Sequence, residues 1–393
     1  MRNYRRRFAP PGGVRVDLDP LAWQSVANPT EHECMKKLFC LLTLAAWTAP
    51  FAVAAPPTVL KNVTVNREMG RFAGWPANNG LWAWGDEIVV GFIQGWFKNC
   101  TTGHAVDETK PMAYLFARSL DGGETWQTEP STLAETAPVD CPGDIDFTAP
   151  DFVMTLRMIN SEEGYSRFYC STDRCHTWSG PYKLPTFDRK TVSARTDYQV
   201  LGPHDLIAFM TAAKENGHEG RPFCTRTTDG GKTWEFVSWI APEPAGFAIM
   251  PSTVRLGPES FLTAIRREEG ENGFIDLYQS GDTGKTWQYL GKPVDSTGSN
   301  PPAMIRLKDG RVVLSYGYRE TPFGLRAKIS ADDGKTWGEE ILLRQDGGCW
   351  DLGYPRIMQR SDGKLVNVYY YNDAPDQERY IAATIWDPGT PEK

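Results

Sequence analysis

The sequence predicts an all-β fold of the β-propeller type, a ring of repeated antiparallel sheets. Three observations predict it. An eight-residue pattern, Ser/Thr-x-Asp-x-Gly-x-Thr-Trp, recurs as SLDGGETW at 119–126, STDRCHTW at 171–178, TTDGGKTW at 227–234, SGDTGKTW at 280–287 and SADDGKTW at 330–337. The starts lie 52, 56, 53 and 50 residues apart, and a period near fifty marks a propeller or array rather than an irregular domain. Each copy also sits between two strand-like runs, as in AYLFARSLDGGETWQTE, where alternating residues lead into a Gly-rich turn and Thr-Trp begins the next strand.

In chain order, residues 1–34 come first, with four early arginines, a Pro-Pro-Gly-Gly and no periodicity. They read as an over-extended start, with translation beginning at Met35. From there MKKLFCLLTLAAWTAPFAVAAPP has two lysines, an apolar run and Ala52-Val53-Ala54 before Ala55-Pro56. This is the pattern of a secretory signal peptide over 35–54. The expected mature chain, 55–393, is therefore one exported domain, secreted or periplasmic, with no membrane span.

Within each repeat the turn chemistry accounts for the residue types. Asp accepts hydrogen bonds from the N–H groups of its own turn. Gly supplies a left-handed backbone position. Thr suits the emerging strand, and Trp buries a large ring against the neighbouring sheet. The motif is thus expected to hold the fold and do no chemistry. The second copy has Cys175 where Gly is expected.

A formal charge of −7 argues against nucleic acid or an anionic membrane as partner. It leaves room for an anionic small substrate gripped by a few arginines. Six cysteines follow the leader, Cys100, Cys141, Cys170, Cys175, Cys224 and Cys349. In an exported chain they permit disulfides, and Cys170 with Cys175, flanking one tight turn, is the expected pair. There is no CxxC and no histidine at ligand spacing near them, so no metal is expected. Asp144 and Asp146 could hold calcium, but two acids one residue apart are common in loops. No cofactor is expected.

A second repeat lies upstream of the turns. Trp75-Pro76, Ala149-Pro150, Met250-Pro251, Pro301-Pro302 and Tyr354-Pro355 each precede a strand-like run. A proline there would open the innermost strand of a blade, where its missing N–H does no harm. The residues around these prolines, Asp146, Asp151, Arg195, Asp197, Asn300 and Arg356, should converge on the central funnel.

The five turn motifs resemble the Asp box, or BNR repeat, of the sialidase superfamily. The resemblance implies a six-bladed propeller of four-stranded blades, with the boxes joining the outer strands away from the active site. The length agrees, since six units of about 53 residues fit within 56–393. The last unit, LGYPRIMQRSDGKLVNVYYYND…RYIAATIWD, lacks a box, and TVLKNVTV at 58–65 would close the ring with it.

The resemblance also implies a site: an arginine cluster for a substrate carboxylate, a carboxylic acid/base and a nucleophilic Tyr. A phenol, unlike a carboxylate, does not repel an anionic sugar. Tyr354 in GYPRI stands at the family's Tyr position. Arg326 in GLRAKISADDG, with Arg319 as fallback, matches one arginine, and Arg266, with Arg267 as substitute, another. Asp107 in GHAVDETKP is the expected acid/base, with His104 and Glu108 beside it. The sequence departs from the family twice. Gly74-Trp75-Pro76 stands where Arg-Ile-Pro is expected, so Arg71 or Arg67 would have to reach in. Met250 stands where the Glu partner of the Tyr is expected.

Arg195, Asp197, Arg356 and Trp75 complete the expected substrate-binding set. Three functions remain open at this level. The first is an exo-glycosidase of the exo-α-sialidase type, releasing a terminal acidic sugar. The second is a lyase or other glycosidase acting on uronic-acid glycans, with Tyr354 or His104 as base. The third is a non-catalytic propeller that binds glycan or protein.

Overall fold

The structure, a computed structural model, describes residues 55–99, 103–161 and 164–391. The leader therefore lies outside the described residues. Among them, six antiparallel sheets follow one another as blades of a propeller. Their innermost strands begin at Arg71–Gly74 in blade 1, Val192–Ser193 in blade 3, Phe247–Arg255 in blade 4, Pro302–Arg306 in blade 5 and Gly353–Gln359 in blade 6. The first strand of the chain, Thr58–Asn66, pairs antiparallel with the last, Tyr380–Asp387, and so becomes the outer strand of blade 6. The ring closes as expected.

Blade 2 departs from the pattern. Its described strands are Val153–Met158, Ser166–Ser171 and Ser179–Lys183, and the segment before them forms no strand of its own, apart from a parallel bridge of Val139 to Tyr182. Pro142, Gly143 and Pro150 interrupt it, and the Asp146 carboxylate accepts from the Thr148 N–H at 2.9 Å and the Thr148 hydroxyl at 2.7 Å. Ala149-Pro150 lies in a turn three residues before Val153–Met158, the inner edge strand of this three-stranded blade.

The five repeated turns share one plan of Ser/Thr–Asp–Thr hydrogen bonds, and in three of them, at Trp126, Trp287 and Trp337, the indole N–H also donates to the turn's glycine carbonyl. In the last, Ser330 Oγ donates to Asp332 Oδ1 (2.8 Å), the Thr336 N–H and hydroxyl donate to the two Asp332 oxygens (2.8 and 2.6 Å), and Trp337 Nε1 donates to the Gly334 carbonyl (3.1 Å). Cys175 takes the left-handed conformation that the turn requires, with φ 71°, and its N–H still reaches Ser171 Oγ at 3.0 Å.

The apolar core is divided into six clusters, one between each pair of adjacent blades. Each turn tryptophan packs backward onto the preceding blade. Trp337 of blade 5 lies against Val254 and Leu262 of blade 4, and Trp126 of blade 1 lies against the seam with blade 6. The motif is therefore a staple between blades as well as within one.

That arrangement overturns the expected disulfide. All five described cysteines are free thiols. Cys170 points into the seam between blades 2 and 3, and Cys175 into the seam between blades 1 and 2. The two thiols leave opposite faces of one sheet. Cys100 lies outside the described residues.

Candidate active site

Residues in or beside four innermost strands share a backbone device, although Trp75-Pro76 follows Arg71–Gly74 and starts the short helix Pro76–Asn79 instead of opening the strand. Trp75, Met250, Ser299 and Tyr354 all adopt left-handed φ, at 61°, 54°, 62° and 51°. Such a conformation is uncommon for non-glycine residues and costs of order 1–3 kcal/mol. Register shifts between Ile249 and Ser252 and between Gly353 and Arg356 show that Met250-Pro251 and Tyr354-Pro355 sit in bulges, which re-aim a side chain out of the pleat. Asn300, fully buried, holds the last of these in place. Its side chain accepts from the Tyr354 N–H (3.1 Å) and donates to the Leu352 carbonyl (2.8 Å). Only glycine fits at 353, because a Cβ there would stand 2.3 Å from the Asn300 amide.

Tyr354 is the hub. Its hydroxyl accepts from Arg266 Nη1 at 3.1 Å, and the Arg319 guanidinium lies 5.4 Å from its ring centre. Burial raises the phenol's pKa, but the combined charge of Arg266, Arg319 and Arg195 outweighs it and leaves Tyr354 below the ordinary tyrosine value. The arginines are held from behind. Arg266 donates to Ser299 Oγ (3.0 and 3.2 Å), Arg319 to the Leu352 carbonyl (3.1 Å) and Tyr370 Oη (2.9 Å), and Arg195 to both Glu219 oxygens (2.5 and 3.2 Å). Met250 supplies no carboxylate, and its Sδ lies 3.8 Å from Arg266 Nη1.

His104 faces Tyr354 edge-on with ring centres 6.0 Å apart. Its Nδ1 lies 2.6 Å from Asp351 Oδ1. Asp351 also accepts from the Ala105 N–H (2.9 Å), Arg379 Nε (3.0 Å) and Tyr370 Oη (2.8 Å). Burial would raise this carboxyl, but His104, the Ala105 amide and Arg379 hold it well below the usual carboxylate range. Trp75 and Trp350 complete the frame, their ring centres 5.1 and 6.0 Å from that of His104.

The structure thus gathers Tyr354, Arg266, Arg195 and Trp75 from the expected set, with Arg319 in place of Arg326. Arg326 lies in the third strand of blade 5, opposite Tyr316, one strand farther from the axis. It is spent on Glu340 (3.2 Å) and on the Arg344 and Pro322 carbonyls (2.6 and 3.1 Å). Arg71 stacks on Trp96 at 4.1 Å and donates to Gln94 at 3.2 Å, while Arg67 pairs with Asp373 and Glu378.

Asp107 folds back on its own turn. It accepts from the Thr109 N–H and hydroxyl (3.2 and 2.7 Å), with Lys98 and Lys110 at 3.9 and 3.8 Å. These partners lower its pKa, Thr109 foremost, so it is poorly suited to carry a proton near neutrality.

Arg356 crosses the shaft below Tyr354 and donates to the Ala77 and Thr196 carbonyls. Asp197 accepts from Thr253 Oγ1 (3.0 Å) and N–H (3.3 Å). Both act as ties between blades. Asp351, Tyr370 and Ser299 were not expected from the sequence. The one signal for Asp351 is its place three residues before Tyr354.

The BNR repeat-like domain family matches over residues 147–367, more than half of the chain. The chain belongs to that family. No curated protein matches the sequence. Among solved structures, the BNR repeat-like chain is similar to a Dyadobacter fermentans protein of unknown function, at TM-score 0.66 and 22% identity over 84% of this chain and 99% of that one. It is also similar to the NanB sialidase of Streptococcus pneumoniae, at TM-score 0.53 and 12% identity over 87% and 70%. A third is the α-L-arabinofuranosidase Arb93A of Fusarium graminearum, at TM-score 0.54 and 13% identity over 83% and 97%. At these identities the likeness is one of fold, the sialidase-type propeller. No helix among the described residues is long and apolar enough to cross a membrane.

Proposed function

We propose that this BNR repeat-like protein is an exported glycoside hydrolase that removes a terminal acidic sugar, with Tyr354 as nucleophile. The observation that carries the reading is the Tyr354 hydroxyl held 3.1 Å from Arg266 and ringed by Arg319 and Arg195. Guanidinium groups match a sugar carboxylate and lower the cost of a phenolate at the same place. The sialidase and the arabinofuranosidase on the same fold support a sugar substrate, and the leader read at 35–54 supports export.

A second reading, elimination at a uronate, is favoured by two observations: Met250 where a carboxylate would partner the phenol, and an imidazole set by Asp351 beside Tyr354. There the arginines would neutralise the carboxylate and make the adjacent C–H acidic. Incubation with a panel of sialosides and uronic-acid polysaccharides separates the two. A released, saturated acidic monosaccharide supports hydrolysis. An ultraviolet-absorbing unsaturated sugar replaces it with elimination. Binding without turnover overturns both.

A further inference from the structure

Resting on the hydrolase reading above, we propose that His104 is the proton-transfer residue of this site and that Asp351 is its positioning residue. The expected acid, Asp107, is turned toward Thr109 and two lysines. His104 stands instead among the site's own rings, between Trp75, Trp350, Tyr354 and Tyr370. Its side chain is 27% exposed while that of Asp351 is 2% exposed, so the imidazole is anchored on its inner edge and open on its outer one. A carboxylate at Nδ1 fixes the proton there and leaves Nε2 for exchange with a bound molecule. A purely structural pin would not need the imidazole. The Ala105 N–H already ties the loop to Asp351 Oδ2, which Arg379 of blade 6 also holds.

The chemistry balances in two halves. In the first, the Tyr354 oxygen, as phenolate, bonds to the anomeric carbon. The glycosidic C–O bond breaks, and the leaving oxygen keeps that electron pair and takes a proton from Nε2 of imidazolium. In the second, water bonds to the anomeric carbon, its proton goes to neutral Nε2, and the bond to Tyr354 breaks to return the phenolate.

A group that protonates the leaving oxygen matters in proportion to how badly that oxygen leaves. The test compares the 4-nitrophenyl glycosides of sialic acid and glucuronic acid with their methyl glycosides. His104→Asn keeps a donor where Nδ1 stood but has no Nε2. On the methyl glycoside it should lose about 10²–10⁴-fold in kcat/KM, and on the 4-nitrophenyl glycoside under about tenfold, a preference that a structural pin would not produce. Asp351→Asn, the second variant, should lose kcat rather than KM on the methyl glycoside and much less on the activated one. Equal losses on both probes, or none, overturn the role of His104 while the hydrolase reading stands. Failure of the parent to release either sugar from either probe overturns both.

Discussion

Replacing Tyr354 by Phe removes one oxygen and leaves the ring in its pocket. The structural cost follows from what that oxygen does. It accepts one hydrogen bond, from the charged Arg266 Nη1 at 3.1 Å, in a residue only 8% exposed. Such a bond contributes about 1.5–3 kcal/mol. Arg266 keeps both bonds to Ser299, so the lower end applies, about 1.5–2 kcal/mol. At roughly 2–4 °C per kcal/mol the melting temperature should fall by about 3–8 °C. The catalytic cost is of another order. With no oxygen to bond to the anomeric carbon, turnover should fall by at least about 10³-fold, or about 4 kcal/mol of barrier. Substrate binding by the arginines should remain, so the loss appears in kcat. Thermal melting, steady-state kinetics and calorimetric binding of the acidic sugar read the three quantities. A Tyr354→Phe variant that keeps full turnover removes the nucleophile from the mechanism.

The two arginine assignments can be separated. Arg319→Lys should raise KM at least about tenfold, since lysine lacks the planar fork, whereas Arg326→Lys should lower the melting temperature and leave KM unchanged; the reverse pattern would restore Arg326 to the site. Trp337→Ala removes a half-buried ring from the seam between blades 4 and 5 and its bond to Gly334. It should cost about 2–3 kcal/mol without changing kcat in the folded enzyme, and lost activity at full stability would contradict a structural turn. Asp197, buried at the axis, has its pKa raised to about 7, burial outweighing Arg356 and Thr253. The folded state then holds its proton more tightly than the unfolded one. Stability from this group is full below about pH 4 and is lost as pH rises through about 7. Asp197→Asn should therefore melt less pH-dependently than the parent between pH 5 and 8, and parallel curves would show that Asp197 is ionised throughout.

The five turns, the ring they imply and its closure by the first strand were all legible, because each turn is written in consecutive residues with local chemistry. Tyr354 and Arg266 were legible only through the resemblance to the sialidase superfamily, whose pattern they match position by position. The arginine that completes the cluster was not. Arg319 and Arg326 are seven residues apart, and both lie near the same end of blade 5. Only the radial position of the strand separates them: Arg319 follows the second strand, Val312–Tyr318, and Arg326 lies in the third, Gly324–Ser330. The pairing of His104 with Asp351 spans 247 residues and belongs to no motif. Only closure of the ring, with blade 1 beside blade 6, brings the two together. The expected disulfide failed for a similar reason, since closeness in sequence across a strand end does not tell which face each thiol leaves.

The pairing of the first strand with the last sets an order of events during synthesis. Asn62 and Thr384, bonded side chain to side chain at 2.8 Å, are 322 residues apart, and bringing such distant segments together costs about 5 kcal/mol of loop entropy. Contacts so far apart in sequence form late and slowly. The cluster around Tyr354 draws on blades 1, 3, 4, 5 and 6, so no partial product of translation contains it. Almost the whole chain must leave the ribosome before Thr58–Asn66 finds its partner. A ring that cannot close until its last strand is made leaves every shorter nascent chain with Thr58–Asn66 unpaired.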